Sequence, residues 1–179
     1  SELDEYKNLV VDPEEHSSIV NISADGKKLY LYANSLLYSS DYVNGVWAVP
    51  VKLNEKINFN FSNIHCSFTA DGKEIYFSSY DRKNENNVEI YYSMQKEDGT
   101  WTDAIEIGKP INTLKNDDSP EITANGDTLY FASNGHKGMG GYDIFMSVKT
   151  DTTWTKPVNL GTPINSPWDD IYYKYNPLT

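Results

Sequence analysis

The chain of 179 residues is long enough for one domain with a sizeable core, and 39% hydrophobic with 13% aromatic residues argues against disorder. A formal net charge of −11, from 26 acidic against 15 basic side chains, argues against nucleic acid and anionic lipid surfaces as partners. The single cysteine, Cys66, cannot form an internal disulfide, and no apolar run approaches the roughly 20 residues that span a bilayer, so no membrane-spanning segment is expected.

The first residues, SELDEYKNLV, lack the basic and apolar regions of a signal peptide, and YKNL reads as the tail of a preceding unit. From there the chain repeats. Trp47, Trp101 and Trp154 recur at spacings of 54 and 53, Ser39, Ser93 and Ser147 at 54 and 54, and Ile57-Asn58, Ile111-Asn112 and Ile164-Asn165 at 54 and 53. Units are read at about 15–58, 62–112 and 116–165, with 1–14 and 166–179 as parts of flanking units of a single domain.

Each unit predicts four short strands. In the first strand Val20 and Ile22, Cys66 and Phe68, and Pro120 and Ile122 alternate with polar neighbours, the pattern of one buried face. Asp25-Gly26, Asp71-Gly72 and Asn125-Gly126 then supply the positive φ angles of a tight hairpin. LYLYA, IYFSS and LYFAS return as the second strand, and LLYSS, EIYYSM and DIFMSV form the third. The fourth begins at the recurring tryptophan, which covers the flank of the unit, and runs through WAVPV, WTDAI or WTKPV. Pro50 and Pro157 fit an edge strand, where a missing N–H breaks no ladder bond.

The expected fold class is therefore all-β: a β-propeller of four-stranded antiparallel blades, three full repeats plus partial flanking ones. A closed ring of six such units needs roughly 320 residues. Either the chain is a piece of a longer protein, the favoured expectation, or further copies complete the ring.

ADGKxLYF, then DIYxS, then WxxPVNLGxxINS followed by paired acidic residues, resembles the TolB-like, WD-type propeller repeats of bacterial cell-envelope proteins. The likeness covers nearly the whole chain, is most specific over residues 117–166, and is closest to the Bacteroidetes repeats beside an OmpA-like domain. It implies a non-catalytic, periplasmic or outer-membrane-associated module that binds a protein partner, in some members within type IX secretion and gliding machinery. The first unit departs most, since eight residues are missing between its Asp25 turn and Ser39. No OmpA-like peptidoglycan-binding segment is recognisable here.

Several motifs admit both a chemical and a plainer structural role. Cys66 beside His65 reads as a buried thiol and not a nucleophile, because neighbouring strand residues point to opposite faces. The stretch NGHKGMGG lacks GK[ST] and a following helix, so it reads as a flexible connection and not a phosphate cradle. With its counterpart at 80–89 it forms the expected binding face, with Asp81, Arg82, Lys83, Asn84, Asn134, His136, Lys137 and Met139 as candidates. Asp117, Asp118, Asp169 and Asp170 are minority candidates for a hard cation such as Ca²⁺, against turn carboxylates that accept backbone N–H bonds. SMQKEDGTW approaches the Asp-box of sialidase-type propellers but has Glu97 where the aspartate belongs, so no enzyme and no cofactor are expected. The alternative readings are a carbohydrate-binding or glycan-processing propeller, with exposed Tyr and Trp stacking on sugar rings, and a structural spacer.

Overall fold

The computed structural model describes residues 8–9, 11, 17–23, 25–58, 63–80, 87–151 and 153–175. Every regular element among them is a strand, and none is a helix long and apolar enough to cross a membrane. The first sheet holds β1 (Ser17–Ile22), β2 (Lys28–Ala33), β3 (Leu36–Val43), β4 (Val46–Trp47) and β5 (Val51–Lys52). The second holds β6 (Asn63–Phe68), β7 (Glu74–Tyr80), β8 (Val88–Met94) and β9 (Ile105–Glu106). The third holds β10 (Asp117–Ile122), β11 (Thr128–Ser133), β12 (Asp143–Val148) and β13 (Val158–Asn159). All pairings are antiparallel, and all are sequential except that β5 returns to β3 beyond β4, so each sheet is a propeller blade as the repeat requires.

The blades stand side by side in chain order, and their inner strands meet. Asn21 donates to the Cys66 carbonyl at 3.1 Å, and the Ile122 N–H donates to Ser67 Oγ at 2.9 Å. No strand of the third blade contacts a strand of the first among the described residues, so the three form an open arc.

Second strands read as nearly continuous apolar runs because blades cover both of their faces. Ile75 and Phe77 pack with Tyr30 and Leu37 of the first blade, while Tyr76 packs with Ile122, Leu129 and Phe131 of the third. The recurring tryptophan faces the preceding unit: Trp154 meets the Tyr76 ring edge-on at 6.0 Å between centroids. Trp47 closes the outer flank of the first blade with Leu29 and Leu31.

Three expectations are corrected. A register shift in every first strand, between Ile19 and Asn21, Asn63 and Cys66, and Asp118 and Glu121, breaks the simple alternation. Ile22 is consequently exposed, and Ser67 is as buried as its neighbour Cys66. Second, only the glycine of each Asp-Gly or Asn-Gly turn has positive φ, at 69°, 68° and 76°. The preceding side chain instead caps the turn: Asp25 and Asp71 each accept the N–H two residues on, at 3.0 Å, and a hydroxyl from Ser23 or Thr69. Third, the register aligns Leu29 with Ser40, Ile75 with Ser93 and Leu129 with Ser147, so the first blade's landmark serine is Ser40 and not Ser39, and seven residues are missing there. The shorter connection is a two-residue turn at Asn34 and Ser35, both left-handed with φ of 50° and 63°.

The fourth strand is also shorter than expected. In the second and third blades Trp101 and Trp154 each make one bridge, to Gln95 and Lys149, before the chain leaves the ladder and rejoins it at β9 or β13. Pro50 and Pro157 lie within such excursions. The landmark serines span the gap, donating to the carbonyls of Ala48, Thr102 and Thr155 at 2.6–2.8 Å.

Beyond β13, residues 170–175 repeat the inner-strand pattern against the third blade. Asp170 accepts the Ser166 N–H as Asp117 accepts that of Thr113, both at 2.6 Å, and Tyr172 has positive φ like Ser119. Tyr130 stacks with Tyr175 and lies tilted against Tyr173, and Lys174 pairs with Glu121 at 2.6 Å.

Candidate functional site

The strand directions bring the connections between blades and the loops between second and third strands to one end. The Asp-Gly and Asn-Gly turns occupy the other. In the third blade this loop end is built from residues 113–117, 134–142 and 166–170, which lock together through backbone groups. Asn134 and Asn116 exchange two bonds, N–H to carbonyl at 3.2 Å and N–H to Oδ1 at 3.0 Å, and Asn116 Oδ1 also accepts the Val88 N–H of the second blade. Tyr142 donates its N–H to Asp169 and accepts that of Asp170, both at 2.9 Å.

Glycine permits this packing. A Cβ added at Gly135 would overlap the Thr113 side chain, one at Gly138 the Asp143 carboxylate, one at Gly140 the Trp168 carbonyl and one at Gly141 the Asp169 carboxylate. The segment expected to be a flexible connection is therefore a closely packed wedge whose glycines allow backbone approach. Buried Asp143 holds it from below, accepting the N–H groups of Met139 and Gly140 at 3.0–3.2 Å.

Among the candidate residues, Asn134 is committed to Asn116. His136 turns inward between the Phe131 and Phe145 rings, at 5.8 and 5.1 Å, and its Nε2 donates to the Ile111 carbonyl at 2.8 Å. Lys137 and Met139 face solvent. Asp81, Arg82, Lys83 and Asn84 lie outside the described residues.

The acidic candidates serve the backbone. Asp117 Oδ2 accepts the N–H and hydroxyl of Thr113, Asp118 accepts the Ser119 N–H, Asp169 that of Tyr142 and Asp170 that of Ser166. By register Asp117 matches Asp170, and Asp118 matches Ile171, so the two acidic pairs are offset by one residue. Among the described residues no group of three or more His, Cys, Asp and Glu side chains is arranged to hold a metal ion. Burial raises the Asp117 carboxyl above its ordinary value despite hydrogen bonds from Ser133 and Thr113. Burial acts to raise Asp118, but His65, 3.2 Å away, together with hydrogen bonds from Ser78 and the Ser119 N–H, outweighs it and leaves that carboxyl low. His65 meets the edge of Tyr172, with centroids 4.8 Å apart, and so ties the second blade, the third blade and residues 170–175 together.

Along the inner strands, His65, Ser119, Glu121, Tyr172 and Lys174 border an open cavity of about 240 Å³. Its polar side chains are engaged, His65 Nδ1 with the adjoining Asp118 at 3.2 Å and Lys174 with Glu121 at 2.6 Å. Cys66 lies on its wall but is only 2% exposed, and burial pushes its thiol up to about 12, as expected for a packed apolar group. Such a thiol is not a nucleophile near neutral pH.

Among the described residues, large apolar side chains stand exposed at the loop end beside the exposed Lys115, Lys137 and Asp169. Leu114 is 89% exposed, Trp168 80% and Met139 47%, one from each of the three interlocked segments. Sequence reasoning missed Leu114 and Trp168. Their signal was a large apolar residue inside an otherwise polar connection, TLKND and SPWDD.

The blade geometry and the arc of adjoining inner strands define a β-propeller fold. Solved structures share it. TolB from Acinetobacter baumannii matches with a TM-score of 0.52 at 14% identity over 74% of this chain and 30% of its own. A puromycin-hydrolyzing peptidase from Mycobacterium tuberculosis matches with a TM-score of 0.56 at 12% identity over 86% of this chain and 24% of its own. The chain thus spans less than a third of either protein, and at these identities the likeness is one of fold. No protein-family model and no curated protein matches the sequence.

Proposed function

We propose that the chain is a non-catalytic propeller module that binds a protein partner through the loop end of its blades, in the bacterial cell envelope, in the periplasm or associated with the outer membrane. The observation that carries this reading is the set of Leu114, Met139 and Trp168, held in solvent on a platform fixed by backbone hydrogen bonds and glycine packing. Apolar side chains presented on a rigid support at low entropic cost are the usual anchors of protein recognition. The TolB-like fold and the repeat pattern support the envelope assignment.

The non-catalytic part rests on how the polar groups are used. The carboxylates at this end accept backbone N–H bonds, and the one thiol is buried and protonated. The glycan alternative draws on one observation, the exposed Trp168 ring, which suits stacking on a sugar.

The test is affinity capture from a cell-envelope extract, with the wild-type chain and the variant Met139→Ser/Trp168→Ser as parallel baits and soluble envelope glycans as competitors. A defined protein retained only by the wild type, and not displaced by glycan, is the expected result. Retention that glycan abolishes, or equal retention by both baits, overturns the reading.

A further inference from the structure

The chain carries three Asn-Gly dipeptides, Asn44-Gly45, Asn125-Gly126 and Asn134-Gly135. In this pair a backbone nitrogen attacks the preceding side-chain amide most readily, because glycine has no side chain to hinder the approach. The fold treats the three differently. Asn125 is held at both ends of its amide: Oδ1 accepts the Thr123 hydroxyl at 2.8 Å and Nδ2 donates to Asp127 at 2.7 Å, while the Gly126 N–H donates to the Thr123 carbonyl at 2.9 Å. Asn134 accepts the Asn116 N–H with Oδ1 at 3.0 Å, and the Gly135 N–H donates to Ser133 Oγ at 3.1 Å inside the packed wedge. Asn44 and Gly45 instead form the exposed two-residue turn between β3 and β4, with φ of 53° and 83°. Among the described residues neither the Asn44 amide nor the Gly45 N–H has a hydrogen-bond partner, and a Cβ built on Gly45 meets nothing within 4 Å.

We propose that Asn44 is a site of spontaneous deamidation that loosens the outer strand of the first blade. The Gly45 nitrogen bonds to Cγ of Asn44 and loses its proton, and Nδ2 departs as ammonia, closing a cyclic succinimide. Water, the one co-reactant, then breaks either C–N bond between the ring nitrogen and a carbonyl carbon. One opening leaves aspartate, and the other leaves isoaspartate, whose main chain runs through Cβ. To react, Asn44 must leave the left-handed conformation of the turn, and only the end pair Val43 with Val46 has to part for that. Both products put a new carboxylate on the turn. Isoaspartate also lengthens it, and the next pair in the ladder is Tyr42 with Trp47, the residue that closes the blade's flank over Leu29 and Leu31. This turn lies away from the loop end, so the change is independent of what that end binds.

The test incubates the intact chain, folded and denaturant-unfolded, in mildly alkaline buffer and follows the three Asn-Gly peptides by mass spectrometry, with a protein-isoaspartate methyltransferase marking isoaspartate. In the folded chain Asn44 is expected to convert faster than Asn125 and Asn134 by about tenfold or more, a gap that unfolding removes. The converted chain should lose hydrogen-exchange protection at the Ala48 amide, which donates to the Asp41 carbonyl just beyond the turn. Asn44→Gln, whose longer side chain closes a larger ring with difficulty, should abolish both changes. Comparable rates at the three sites in the folded chain, an Asn44 that converts only after unfolding, or conversion with the Ala48 amide still protected overturns the proposal.

Discussion

Asn112 holds Ile90 by both of its backbone polar groups, accepting its N–H with Oδ1 and donating Nδ2 to its carbonyl, each at 3.1 Å. Asn58 does the same to Leu37, and Asn165 to Ile144. The side-chain amide completes the third strand where the outer strand has ended, which is why Ile-Asn recurs in every unit. Replacing Asn112 with Ala orphans the buried Ile90 N–H, while the Ile90 carbonyl keeps the Ile107 N–H at 3.0 Å, and is expected to destabilise the fold by about 1–3 kcal/mol. Denaturant unfolding of Asn112→Ala, with Lys109→Ala as an exposed control in the same connection, measures it. A loss below about 1 kcal/mol contradicts the assigned role.

The packed wedge makes a second prediction. Gly140→Ala places a methyl on the Trp168 carbonyl, a backbone atom that cannot turn aside, so the wedge must lift. A loss of about 1–3 kcal/mol is expected, within the range for overpacking. Hydrogen exchange should show the Met139 amide, which Asp143 holds, losing protection in the variant. Gly161→Ala, which has open space for a Cβ but φ of 64°, separates steric overlap from backbone strain.

Asp117 sets a pH dependence. Its carboxyl is raised by burial above the ordinary aspartate value of 3.8, so the folded state binds this proton more tightly than the unfolded chain does. Its contribution is fully present below that value and is lost as pH rises through the folded value. Asp25 and Asp71 act in the opposite sense: hydrogen bonds from Ser23 and Thr69 lower them, so their contribution is present above 3.8 and is lost as pH falls through their folded values. Asp117→Asn should therefore remove the decline in unfolding midpoint that begins just above pH 3.8 and leave the acid limb in place. An unchanged curve there would show that Asp117 does not titrate as its burial requires.

Cys66 should be inert in the folded chain. A thiol reagent at about pH 8 is expected to modify it only after denaturant unfolds the protein, because the thiolate is both inaccessible and disfavoured. Cys66→Ser should cost about 1–3 kcal/mol through a buried hydroxyl. Rapid labelling of the native protein would show that the inner strand opens readily.

The blade architecture was legible because its signals are local: hairpin glycines, second strands apolar on both faces, and a period of 53 or 54 residues. What escaped depends on pairing. LLYSS offers two adjacent serines, and only the partnership of Leu29 with Ser40 tells which one is the landmark. The register shift beside Asn21 exposes Ile22, and a pattern of alternating residues carries no mark of it. Ile-Asn was visible as a repeat, yet its partner lies 21 or 22 residues back, beyond any local pattern. At the site, His136 looked like an exposed loop residue because the aromatic rings that enclose it, Phe131 and Phe145, sit in flanking strands.

The tryptophan of the third blade leans on a tyrosine of the second, and residues 170–175 lean in turn on Tyr130 of the third. Each unit thus carries on one side the receptor for its successor and on the other the plug for its predecessor. An array built this way has a head and a tail, and its free energy accrues junction by junction as in a one-dimensional chain of coupled sites. Copying one whole period into the gene reproduces a junction of the same kind, whereas a duplication out of phase leaves a plug without a socket.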